Sequence, residues 1–132
     1  MPGARHDATN ELVRHHPELV QHLLQTVGGI PLPDNVPLHI HSGELNDRIS
    51  TNRHADTLIL AGPPHDPHYG LICEIETRLS EPKLHQALRY AATVWLRLDK
   101  PVHVLFITPN TTGDRYNRPL TLNAGGLTLT LT

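Results

Sequence analysis

The chain has 132 residues and a mass of 14.7 kDa, enough for one modest hydrophobic core, so one domain with one site is expected. Its 11 Lys+Arg against 13 Asp+Glu give a formal net charge of −2, which excludes the bulk basic excess of many free-standing nucleic-acid binders. A lone cysteine, Cys73, excludes an internal disulfide framework, and no apolar run approaches the ~20 residues that a membrane span needs. The opening MPGARHDATNELVRHHPE has no apolar stretch of the secretory kind, so a reducing cytoplasm is the expected compartment.

In chain order, residues 8–27 place Leu12, Val13, Leu19, Val20, Leu23, Leu24 and Val27 at near-helical spacing. Pro17 must break or restart that helix, giving two short helices or one kinked one, and Gly28-Gly29 ends it. The proline-rich stretch from Ile30 to Pro37 reads as a connector, and residues 36–42 (VPLHIHS) as a strand with Leu38 and Ile40 on one face. His54 to Leu60 (HADTLIL) and Tyr69 to Thr77 (YGLICEIET) read as strands forming an antiparallel hairpin across Gly62-Pro63-Pro64. Ser80 is positioned to cap a helix with Glu81 and Pro82 in its first turn, and Leu84, Leu88, Ala91, Trp95 and Leu98 form its apolar stripe. After Lys100-Pro101, the run VHVLFIT at 102–108 predicts a strand covered on both faces. A strand, helix and strand in succession favour a right-handed crossover with parallel pairing. Leu120 to Asn123 and Leu127 to Leu131 suggest a terminal hairpin around Gly125-Gly126. The closing LTLTLT stops in mid-alternation, so either the natural chain continues or a partner, a second copy included, covers this edge. The predicted class is α/β, a mixed central sheet flanked by helices in the order helix, strand, strand, strand, helix, strand.

Eleven histidines invite a metal-binding reading, but their spacing does not support one. There is no HExxH and no paired Cys/His spacing, so surface or structural histidines are the expectation.

The carboxylates carry more. Glu74 and Glu76 are two apart in a strand, hence on one face with Cα atoms about 7 Å apart, while Leu71, Cys73 and Ile75 face the other way. Two partly desolvated like charges repel unless a cation lies between them. Asp56, amid Ala55, Leu58, Ile59 and Leu60, could be brought to the same face by the hairpin, and three oxygen ligands suit Mg²⁺ or Mn²⁺. The competing reading is a solvated sheet face on which the glutamates pair with Arg78, Arg53 or Lys83.

Four segments in order carry a resemblance: an Asp in a strand (RHADTLIL), Glu-x-Glu in the next (ICEIET), a Lys opening a helix with a downstream Tyr (EPKLHQALRYAA), and an apolar strand ending in Thr-Pro (VLFITPN). Over residues 6 to 120 the chain resembles the PD-(D/E)XK nuclease superfamily, in particular uncharacterised bacterial proteins of the transposase-linked, recombination-promoting nuclease type. The resemblance implies a restriction-endonuclease-like core, with Asp56 and Glu74 as the first and second metal-binding acids and Glu11 as a first-helix glutamate near the metal. The third position, ordinarily lysine, is Glu76 here, able to bind metal or accept a proton but not to counter phosphate charge. Lys83, seven residues on at the start of the helix, would supply the missing cation. Tyr90 shares its side of the helix and is expected to pack there.

Two function classes follow. One is a Mg²⁺- or Mn²⁺-dependent hydrolase of DNA phosphodiesters. The other is a catalytically inactive member of the fold, kept as a binding or assembly module, which the absent Glu-x-Lys and the lack of net positive charge favour. A histidine-based metal protein ranks below both.

Overall fold

A computed structural model of the chain describes residues 4–33, 36–41, 57–109, 120–124 and 127–131. The N-terminal helical region is two helices, α1 (Ala4–His15) and α2 (Glu18–Thr26). The division falls at Pro17, whose ring removes a backbone donor but whose φ of −61° suits a helix start. Among the described residues of these helices Val13, Val20 and Leu24 are buried. The connector after α2 is not a bare loop. Leu32 is buried, Gln25 Nε2 donates to its carbonyl at 3.0 Å, and Gln21 Nε2 donates to the Pro33 carbonyl at 3.1 Å. Gln21 also donates to the Tyr69 hydroxyl at 2.7 Å, tying helix, connector and sheet together.

Among the described residues the main sheet has four strands in the order β1-β2-β3-β4: β1 (Leu38–His41), β2 (Thr57–Ala61), β3 (Tyr69–Ile75) and β4 (Val102–Ile107). β1 and β2 pair antiparallel, as do β2 and β3, the latter with Thr57 opposite Cys73 and Ala61 opposite Tyr69. β3 and β4 pair parallel, with Glu74 opposite Phe106. The expected strand at 54–60 is therefore present from Thr57 onward, while Asp56 lies outside the described residues. The β2–β3 connection turns tightly. Gly62 has φ +112° and the His68 amide donates to the Ala61 carbonyl at 2.6 Å.

Between β3 and β4 runs α3 (Glu81–Leu98). Ser80 is its N-cap in extended conformation with no side-chain capping bond, and Asp99 closes it in the left-handed region at φ +53°. The apolar stripe differs in one respect from the expectation. Leu84, Ala87, Leu88, Tyr90, Ala91 and Val94 are buried, whereas Trp95 is 48 % exposed. A step of three from Ala91 reaches Val94 and a step of four reaches Trp95. At 100° per residue the buried centre selects the former.

Alternation along the strands divides the core between two faces. Ile59, Ala61, Leu71, Cys73 and Ile75 pack with Val13, Val20 and Leu24 of α1 and α2. Leu58, Leu60 and Ile72 pack with Tyr90, Ala91 and Val94 of α3. The sheet is thus the middle layer of three. Essentially full burial of Leu58, Ile59, Leu71 and Ile72 stabilises the fold by about 1.5–3 kcal/mol each relative to exposure. β4 is only half-buried along its length, not fully covered as its composition suggested, because it is the outermost strand of this sheet. β5 (Leu120–Ala124) and β6 (Leu127–Leu131) form the expected antiparallel hairpin, a separate two-stranded sheet with Leu122 opposite Leu129, and β5 lies near α3. Among the described residues no helix is long and apolar enough to cross a membrane.

Candidate functional site

The strand that carries Glu74 is an interior one, paired on both sides and packed on both faces. Within it Leu71, Ile72 and Cys73 are buried, while Glu74 is half-buried. Glu76 lies just past the end of β3, and its amide donates to the Ile107 carbonyl at 3.0 Å, which extends the β3–β4 ladder by one bond. Alternation from Ile72 sets Glu74 and Glu76 on the side of the sheet covered by α3.

From that side comes Lys83, the third residue of α3. Its ammonium lies 2.9 Å from Glu76 Oε2 and also donates to the Arg78 carbonyl at 3.0 Å. A cation in the first turn of a helix has the unfavourable sign for the helix dipole. Two acceptors offered by the β3–α3 connection offset that cost. The pair is partly open to solvent, with side-chain exposures of 42 % for Lys83 and 26 % for Glu76, so it is not a dehydrated buried ion pair. Lys83 thus reaches back across its seven-residue separation to the end of β3, and its pairing with Glu76 is the one that the competing reading of an ordinary paired sheet face also named. Its second acceptor, the Arg78 carbonyl, is a backbone group for which the sequence holds no signal.

Glu11 lies elsewhere. It is exposed on α1, which packs on the opposite face of the sheet, and its Oε2 lies 3.3 Å from Nε2 of His15 one turn on. Tyr90 is buried with Leu58, Leu60 and Ile72, in agreement with a packing role.

Three histidines, His15 among them, are local partners of acids. His16 Nδ1 lies 3.2 Å from Glu18 Oε1, and His85 Nε2 lies 3.8 Å from Glu81 Oε2. His103, on β4 opposite Leu71, is held below its ordinary pKa by burial. Among the described residues no group of three or more His, Cys, Asp or Glu side chains converges to hold a metal ion; Asp56 is not among those residues.

The chemistry of this small assembly is that of hard oxygen donors beside a cation. Two carboxylates, Glu74 on β3 and Glu76 just past its end, both half-buried and on one side, are of the donor type that suits a hard divalent ion. Cys73, paired opposite Thr57, packs on the other face of the sheet with Ile59 and Leu71, so this thiol is no competing soft ligand. No protein-family model, curated protein or solved structure matches the chain.

Proposed function

We propose that the chain is a metal-dependent nuclease of the PD-(D/E)XK type, hydrolysing DNA phosphodiesters in the cytoplasm. The observation that carries this reading is the Lys83 ammonium held at 2.9 Å from Glu76, on the sheet side that Glu74 shares. The sheet supports it too, since three antiparallel strands, a helix and a fourth strand parallel to the third follow the order expected of a restriction-endonuclease-like core. The reading requires the β2–β3 ladder to continue one residue beyond Thr57, so that Asp56 comes to lie across from Glu74.

In this scheme Asp56, Glu74 and Glu76 would hold Mg²⁺ or Mn²⁺, which would supply Lewis acidity when bound. Acting as a base rather than a ligand, Glu76 would take the proton that the attacking water loses as its oxygen bonds to phosphorus, while the departing 3′ oxygen takes a proton from solvent. The Lys83 ammonium is placed to counter the charge that gathers on the non-bridging oxygens. Glu76 standing where the superfamily has lysine makes Lys83 the group on which activity depends.

Incubation with supercoiled plasmid and Mn²⁺ or Mg²⁺ tests the proposal. Nicking or linearisation should be lost in Asp56→Asn and Glu74→Gln and reduced by about 10²-fold or more in Lys83→Ala. Intact plasmid with the wild-type protein, under conditions where it binds the ion, would instead favour a non-catalytic binding or assembly module. The same Lys83–Glu76 contact supports that second reading, because it also serves as a clamp between the end of β3 and the start of α3.

A further inference from the structure

We infer that the Lys83–Glu76 contact is a latch, the resting state of the site, which a divalent cation opens by taking the Glu76 carboxylate from the ammonium. The inference rests on the metal-binding reading above and concerns how that site is regulated. Among the described residues Lys83 has two acceptors, one charged and one neutral. Both belong to the short segment between β3 and α3, residues 76–78, so the ammonium is folded back on its own connection.

The two partners are not equivalent under a competing cation. A divalent ion at Glu74 and Glu76 offers the Glu76 carboxylate twice the charge of Lys83, while the Arg78 carbonyl is left as the weaker acceptor. Both members of the pair are partly exposed, so opening it does not strand a charge in a dry interior. The released ammonium needs only side-chain rotation to reach an anion lying against the ion. The cation would therefore create its own phosphate-binding partner, and an anion such as inorganic phosphate should bind better after the ion than before it. Breaking the latch opposes cation binding, which makes Lys83 a group that tunes affinity as well as one that meets phosphate.

Titration calorimetry with Mn²⁺ on the full chain, together with nitrogen NMR of the lysine side-chain amines, tests the latch. Lys83→Gln should tighten Mn²⁺ binding by about two- to fivefold, the amount expected from an exposed ion pair no longer broken. Arg89→Gln removes the same charge from an exposed position elsewhere on α3 and should leave the affinity unchanged. With diamagnetic Mg²⁺, the Lys83 Nζ resonance should shift in wild type and stay fixed in Glu76→Gln. Equal affinity in wild type and Lys83→Gln, equal tightening in the Arg89 control, or an unmoved Nζ resonance at saturation would each overturn the latch while leaving the metal site standing. Failure of the wild-type protein to bind either ion would overturn the metal site itself, and the latch with it.

Discussion

The hydroxyl of Thr57 donates to Oδ1 of Asn10 at 2.8 Å, joining α1 to the second strand of the sheet. Thr57 is only 1 % exposed, while Asn10 is half-buried, so the two ends of the bond stand in different environments. Removing the more exposed end should cost more. Asn10→Ala leaves a hydroxyl without that acceptor in a place closed to water, at about 1–3 kcal/mol, whereas Thr57→Val removes the hydroxyl and costs about 1 kcal/mol. Urea midpoints of the two variants should follow that order, and the double variant should cost less than the sum of the two.

The burial of α3 sets a second expectation. Leu88 is 2 % exposed and Leu96 is 73 % exposed, although both are leucines of one helix. Leu88→Ala should destabilise the fold by about 2–5 kcal/mol through the cavity it leaves. Leu96→Ala should stay within about 0.5 kcal/mol. Thermal melts of equal cost would contradict the helix rotation described above.

Two glycines with positive φ should differ in the same kind of measurement. Gly29 has φ +66° and open space where a Cβ would stand, so Gly29→Ala should cost about 1–2 kcal/mol from backbone strain alone. At Gly62 the strain at φ +112° is joined by a Cβ position only 2.8 Å from the His68 amide nitrogen. That nitrogen makes the bond to Ala61 that closes the β2–β3 turn. Gly62→Ala should therefore lower the melting temperature clearly more than Gly29→Ala.

His103 predicts a pH dependence of stability. Burial holds its folded-state pKa below the ordinary value near 6.5, so the unfolded chain binds the proton more readily. The neutral form favours folding, and stability falls as pH drops from above 6.5 toward the folded-state value, levelling off below it. Replacing the group with His103→Gln should remove that portion of the acid loss. The check is the difference in urea midpoint between wild type and variant from pH 8 to pH 5; a constant difference would be incompatible with the expected titration.

The elements most legible in the sequence were those written in local chemistry. Pro17 announced the division of the N-terminal helices, and Gly62-Pro63-Pro64 the hairpin turn. The period-two spacing of Glu74 and Glu76 and the seven-residue reach of Lys83 were likewise readable, because both follow from element geometry. What escaped depends on tertiary context. Val94 rather than Trp95 faces the core because the sheet beneath α3 selects one of two positions that helical spacing alone allows. The half-buried state of β4 follows from its place at the rim, which an apolar run does not reveal. Glu11 is a candidate ligand only through the family resemblance, and the packing of α1 shows which face of the sheet it accompanies.

Cys73 offers a consequence of a different sort. It is fully buried in β3, between β2 and β4, and it is the chain's single cysteine. A thiol reagent can reach it only when the centre of the sheet parts, so the labelling rate of the native protein reports how often that happens. The molecule carries its own gauge of opening at one defined place, next to Glu74 in the strand, with no engineered probe required.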